Sequence, residues 1–257
     1  MKKSQVIIKA IDYFLPEKQE SNKDLAIEHP DWDMDKIVEK TGIHNRYISS
    51  MDQCASDLGV EAANKLIRSE DFDPKKINVL IYCTQSPDYF LPTTACVMQE
   101  RLHLSTSVAA FDINLGCSGY IYGLALGTSL IQSGFYENAL LVFADTYTKY
   151  IAREDRACRP LFSDAGAATL LVKSDTKDPM GPFVLGTDGK GAENLIVHGG
   201  AARQRETEPV IQMNGAEIFV FSMSQVSKSI LELLSKADIQ AKDIDHFFFP
   251  SSKQTCT

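Results

Sequence analysis

Five short runs of apolar, β-prone residues, separated by stretches of helical period, constrain this chain more than any other feature. They are Val6 to Ile8, Ile77 to Cys83, Val108 to Ile113, Ala139 to Ala144 and Ala167 to Val172, and runs of this kind suit strands buried on both faces. Between them, Ser56 to Ser69 repeats apolar residues at Leu58, Ala62, Leu66 and Ile67, and Thr93 to Leu102 follows a loop containing Pro87 and Pro92. These are helix patterns. The alternation predicts an α/β protein with a largely parallel sheet. At 257 residues and 44% hydrophobic content, the chain can bury a substantial core as one large domain or two joined halves.

An internal echo sharpens this expectation. Ala62 to Cys83 reads as a helix, a charged link with Asp73 and Lys76, then the strand INVLIYC; Ser229 to Phe249 reads as a helix, a link with Lys242 and Asp243, then the strand IDHFFF. Ile77 and Ile244 align at an offset of 167 residues. The first copy continues through further strands to Val172, whereas the second reaches Thr257 eight residues after Phe249. The duplication therefore predicts a second half that is incomplete within this chain.

The formal net charge of -8 and pI near 5.2 argue against a nucleic-acid binder, which needs a basic excess to replace phosphate counterions. Met1 to Ala10 holds too short an apolar run for a signal peptide or a membrane span, which predicts a cytoplasmic protein without membrane attachment. Six cysteines, Cys54, Cys83, Cys96, Cys117, Cys158 and Cys256, are scattered without a C-x-x-C pair or a His at zinc-ligand spacing. Most read as free thiols in a reducing compartment, with no metal site.

Val108 to Leu130 passes from a buried strand through a glycine-bearing turn into a helix of small residues, with Cys117 at the turn. A thiol at a helix N-terminus meets the positive end of the macrodipole and unpaired backbone N–H groups, which favour thiolate and can hold an oxyanion. Gly119, Gly123 and Gly127 recur every four residues on one helical face. Glycine costs helix stability, so close packing against another element is the expected compensation. A single cysteine in such a place is more often a small core residue than a nucleophile.

The string DINLGCSGYIYGL resembles the nucleophile segment of β-ketoacyl-acyl-carrier-protein synthase III, a thiolase-superfamily condensing enzyme. KTGIHNR (Lys40 to Arg46), TQSPDYFLP (Thr84 to Pro92), FSDAGAATLL (Phe162 to Leu171) and MNGAEIFVFS (Met213 to Ser222) resemble that family's other elements, in the family's order. The resemblance implies a thiolase-like αβαβα layered fold of two similar halves. Here those would be residues 1–175, with the nucleophile, and 176–257, incomplete. It implies an acyltransferase of fatty-acid or related acyl biosynthesis, with Cys117 acylated by acyl-CoA and then condensed decarboxylatively with malonyl-acyl-carrier protein. Both are substrates, and no cofactor is implied. The family is usually homodimeric.

A His and an Asn from the second half promote decarboxylation in the family. After IDHFFF the family has a His-Gln-Ala-Asn-like motif, where this chain has Pro250, Ser251, Ser252 and Lys253; His246 lies four positions early, and the Asn position falls beyond Thr257. One allowed coding of Pro-Ser-Ser-Lys-Gln, with its first base removed, reads His-Gln-Ala-Ser-Lys. These departures predict impaired condensation, or a non-catalytic binding subunit that pairs with a complete paralogue.

Arg153, Arg156 and Arg159 recur every three residues, a spacing that most often marks a solvated face. Arg156 matches a family arginine that holds the coenzyme A nucleotide, and Lys40 occupies a position that is often a basic contact to it. Trp32 does not align with the family's adenine-stacking tryptophan; Lys36 falls there. Leu91 corresponds to a loop residue that shapes the acyl tunnel across the family dimer.

Overall fold

The computed structural model describes residues 5–175 and 180–248. Its strands are β1 (Gln5–Phe14), β2 (Lys18–Ser21), β3 (Asn45–Ile48), β4 (Val79–Cys83), β5 (Ala109–Ile113), β6 (Asn138–Asp145), β7 (Ala165–Ser174), β8 (Leu195–Val197) and β9 (Ile211–Met213). Its α-helices are α1 (Asn22–Glu28), α2 (Met34–Thr41), α3 (Ala55–Ser69), α4 (Thr94–Arg101), α5 (Gly119–Gln132) and α6 (Gly215–Ala237). The described residues form two compact units, one of residues 5–18, 47–146, 164–175 and 180–181, the other of residues 19–46, 147–163 and 182–248.

The first unit is built on a five-stranded sheet of order β1-β7-β6-β4-β5. All five sequence-predicted strands lie in it. The sheet is mixed rather than largely parallel: β4 pairs parallel with β5 and β6, but β7 runs antiparallel to β6 and to β1. The cause lies in the connections. Helices α4 and α5 carry the chain back for parallel re-entry, whereas no α-helix separates β6 from β7, and a strand entered without a crossover returns antiparallel.

β6 shows why these strands read as unbroken apolar runs. Successive side chains point to opposite faces. Leu140, Val142 and Ala144 join Leu58, Ala62 and Leu66 of α3 in the main core, while Leu141 and Phe143 meet the glycine stripe of α5. A Cβ at Gly119 would overlap Cys83 Sγ, one at Gly123 would lie 3.0 Å from Phe143, and one at Gly127 would lie 2.9 Å from Leu171. The stripe thus lets α5 settle on β4, β6 and β7. At its other end the sheet positions α4: the carboxylate of Asp112 on β5 accepts the N–H groups of Thr94 and Ala95 at 2.7 and 2.8 Å.

In the second unit Arg46 is fully buried. Its guanidinium donates to Asn22 Oδ1 (2.7 Å), Pro160 O (3.1 Å) and Glu20 O (3.2 Å), with the Glu20 carboxylate at 3.6 Å. The last residue of KTGIHNR therefore pins this unit together.

The internal echo extends to backbone detail. After α3, Asp71 is left-handed (φ 48°) and the N–H groups of Asp71 and Phe72 return to Arg68 O and Ile67 O; a 3-10 turn over Pro74–Lys76 follows. After α6, Asp238 is left-handed (φ 55°), the N–H groups of Asp238 and Ile239 return to Ser235 O and Leu234 O, and a 3-10 turn covers Ala241–Asp243. Every pair is offset by 167 positions. The copies differ in burial: α3 buries nine residues, α6 none.

One expected strand is absent. Ile244 to Phe248 of IDHFFF is not a strand, and His246, expected within it, is exposed. A strand needs a neighbour for its backbone groups, and no described strand pairs with this segment. Phe249, the tail Pro250–Thr257 and Cys256 lie outside the described residues.

Candidate active site

Cys117 stands between β5 and α5, two residues before the first helical residue, and is exposed. The main-chain N–H of Gly119 is used within the turn, donating to Gly116 O at 2.8 Å. That of Cys117 makes no hydrogen bond to any described residue, which leaves it free at the helix start, where backbone donors lack intrahelical partners.

The turn rests on the C-terminal end of β4. Cys83 donates its thiol to Leu115 O at 3.1 Å, and Gln85 Nε2 donates to Asn114 Oδ1 at 3.3 Å. Burial, reinforced by the nearby Asp145 carboxylate, pushes the Cys83 thiol up to about 11, so at neutral pH it is the protonated donor this contact requires. Behind it, Asp145 Oδ1 accepts from Gln85 N (2.7 Å), Ser86 Oγ (3.0 Å) and Thr84 Oγ1 (3.1 Å). Burial raises the Asp145 carboxyl above the usual range against these hydrogen bonds, which lower it. Sequence reasoning missed Cys83, Gln85 and Asp145. The available signal was a lone carboxylate ending the apolar strand FAD, because strand C-terminal ends are where α/β sheets place functional groups.

Leu91 belongs to the same unit as Cys117 and is 82% exposed on the TQSPDYFLP loop. Asp88 anchors that loop by accepting from Ser56 Oγ at 2.6 Å.

The two basic candidates lie in the second unit. Lys40 is exposed in the last turn of α2, where a cation also suits the helix dipole. The three arginines are not equivalent. Arg153 is paired with Glu28, and Arg159 with Glu20 at 2.8 Å and Glu28 at 3.5 Å. Arg156 is exposed and forms no ion pair or hydrogen bond with any described residue, although its charge helps lower Asp33, whose carboxylate is held chiefly by Lys36 at 2.8 Å. Trp32 is buried with Leu25 and Met34, stacked on His29 at 4.0 Å, so its face is already occupied. Among the described residues, no group of three or more His, Cys, Asp or Glu side chains is placed to hold a metal ion, and no helix is long and apolar enough to cross a membrane.

Comparison with known proteins gives one consistent answer. The sequence profile of 3-oxoacyl-[acyl-carrier-protein (ACP)] synthase III matches residues 111–189, which include Cys117. A β-ketoacyl-[acyl-carrier-protein] synthase III of Clostridium perfringens is 39% identical over 215 residues, covering 81% of this chain and 66% of the relative. A relative from Campylobacter jejuni is covered over 65% of its length; the chain thus spans just under two thirds of these proteins. A Streptococcus pyogenes synthase III is 34% identical over 93% of this chain and 74% of its own. Among solved structures, a 3-oxoacyl-(acyl-carrier-protein) synthase III superimposes with a TM-score of 0.91 at 40% identity, over 94% of this chain and 77% of that one. The corresponding synthase of Burkholderia xenovorans gives 0.87 at 33%, over 95% and 72%. The mixed α/β architecture is that of these thiolase-like enzymes, and the chain belongs to the β-ketoacyl-acyl-carrier-protein synthase III family.

Proposed function

We propose that the chain performs the acyl-accepting step of a 3-oxoacyl-acyl-carrier-protein synthase. The Cys117 thiolate attacks the thioester carbonyl of acyl-CoA, the tetrahedral oxyanion is met by the free N–H of Cys117, and coenzyme A leaves as its thiolate, to be protonated by solvent. The observation that carries this reading is the exposed sulfur at the start of α5, beside an N–H that bonds to no described residue. Arg156, the one member of its triplet without an ion pair among the described residues, and exposed Lys40 are proposed as contacts for the anionic nucleotide.

In the second step, malonyl-acyl-carrier protein would lose CO2. The resulting carbanion would attack the acyl-Cys117 carbonyl, releasing β-ketoacyl-carrier protein and the Cys117 thiolate. Pro250 to Lys253 stand where the family's His is expected, so condensation by these 257 residues is proposed to be impaired. The division into thiolase-like halves, 1–175 and 176–257, is supported by the repeated Asp71 and Asp238 turns. A homodimer is supported by β5, which ends the described sheet, and by the exposure of Leu91. The second reading, a binding subunit for a complete paralogue, is favoured by the apolar, unburied α6.

A single-turnover experiment tests the proposal. The chain is incubated with radiolabelled acetyl-CoA, desalted, and then given malonyl-acyl-carrier protein. Label is expected on the protein in the first step, with little or no transfer to β-ketoacyl product in the second. Full turnover would refute the impairment, and absence of protein-bound label would refute the acyl-accepting role.

A further inference from the structure

Cys117 is held in place by the end of β4 and the turn that follows it. Three contacts grip the peptide on both sides of the sulfur, and all three come from Cys83 and Gln85. Gln85 Nε2 holds Asn114, three residues before Cys117, and Cys83 Sγ holds the carbonyl of Leu115, two before it. Gly119, two residues after it, sits so tightly on Cys83 Sγ that no Cβ would fit. Residues 84–86 lie beyond the end of β4 and have no sheet ladder of their own, apart from the Thr84 N–H, which reaches Ile113 O at 3.2 Å. Their position is set by Asp145. One carboxylate oxygen collects the main-chain N–H of Gln85 and the hydroxyls of Thr84 and Ser86, and Ser86 Oγ in turn accepts the N–H of Thr146 at 2.9 Å.

We propose that Asp145 is a positioning residue for Cys117: it clamps the Thr84–Ser86 turn, which through Cys83 and Gln85 fixes the nucleophile at the start of α5. Asp145 acts at one remove and touches no reacting atom. The cluster lies where β4 and β6 both end, and Leu80 to Cys83 pair in register with Leu140 to Phe143, so the clamp is tied to the sheet itself. Because the contacts are hydrogen bonds accepted by a single oxygen, an amide oxygen at position 145 can make the same set. A side chain without an acceptor cannot.

This inference rests on Cys117 being the acyl acceptor, and the test separates the two. Asp145→Ala, Asp145→Asn and Gln85→Ala are compared with wild type in two peptide-resolved rates at one pH, acylation by acetyl-CoA and alkylation by iodoacetamide. Exposed Cys96 serves as the internal control for alkylation. Asp145→Ala and Gln85→Ala are expected to slow both reactions at Cys117 by about tenfold or more, since a misplacement on the order of 1 Å can cost a hundredfold. Cys96 should be unaffected, and Asp145→Asn should stay near wild type. Wild-type rates at Cys117 in Asp145→Ala would overturn the proposal, as would an Asp145→Asn variant as slow as the alanine variant. If Asp145→Ala opens the unit, buried Cys83 becomes labelled, and Gln85→Ala then decides, with an unchanged Cys117 rate overturning the proposal. If wild type is never acylated yet its Cys117 alkylation still depends on Asp145, the acyl-acceptor reading fails and the positioning role stands.

Discussion

Cys83 donates its thiol proton to the carbonyl of Leu115 across 3.1 Å, so the cysteine behind the nucleophile turn is a structural donor. That contact divides the cysteines by chemistry as well as by depth. Cys83 is pushed up to about 11 by burial, and Cys158 up to about 12 by burial and then by its hydrogen bond to Asp155, while Cys96 and Cys117 are exposed. Thiolate is the reactive form, so near pH 8 limiting iodoacetamide is expected to modify Cys117 first and Cys96 second. Cys83 and Cys158 should react only after denaturation. Peptide mapping checks the order, and early labelling of Cys158 would contradict it.

Asp145 makes a prediction about pH. Its carboxyl titrates above the ordinary value in the folded chain because burial penalises the charge. An unfolded aspartate titrates at about 3.9, so between that pH and the raised folded value the native state binds more protons than the unfolded state. Stability from this group therefore falls as pH rises through the window and is level on either side. Asp145→Asn lacks this slope. Urea melts at a series of pH values should show the stability of the asparagine variant improving relative to wild type as pH rises through that range.

Much of this architecture was legible because burial on two faces writes a simple pattern. β6 presents Leu140 and Val142 to α3 and Leu141 and Phe143 to α5, so that between Asn138 and Asp145 at its ends the strand is apolar throughout. The glycine spacing of α5 likewise announced its close contact with the sheet. Strand direction was not legible, since an apolar run carries no sign of whether its neighbour is parallel. The strand expected at IDHFFF shows the converse failure: its aromatic sequence favours extension, but a strand is completed by a partner. At the site, Cys117 stood out only through resemblance, and Asp145 did not stand out, because its partners are brought together from positions about sixty residues apart.

Asp112 illustrates a carboxylate whose task is structural. It accepts two main-chain N–H groups at the start of α4, and removing such a cap typically costs about 0.5–2 kcal/mol. Asp112→Ala is expected to lower stability by about that amount in a denaturant melt, with Asp112→Asn recovering part of the loss.

Arg46 should be far less tolerant. It is fully buried against Glu20, Asn22 and Pro160, and truncating one partner of a buried ion pair costs roughly 3–5 kcal/mol. Arg46→Ala is therefore expected to unfold at much lower denaturant concentration, whereas Arg156→Ala, at an exposed side chain without an ion pair among the described residues, should leave the melt within about 0.5 kcal/mol of wild type.

Helix α6 and the segment after it leave large apolar side chains exposed. On α6, Phe219 is 57% and Leu231 69% exposed, and Phe248 beyond it is 92% exposed. Apolar surface of this kind promotes association. The 257-residue chain is expected to elute from size-exclusion columns as concentration-dependent larger species, and Phe219→Glu with Leu231→Glu should shift it toward monomer or a defined dimer without lowering its melting temperature. A monodisperse wild-type profile at all concentrations would contradict this.

The central claim is that Cys117 is an acyl acceptor, and intact-mass spectrometry with acetyl-CoA tests it most directly. The account predicts the gain of one acetyl group per chain, mapped to the peptide containing Cys117 and absent from Cys117→Ser. Acetylation that persists in Cys117→Ser, or that maps to Cys96, would contradict it.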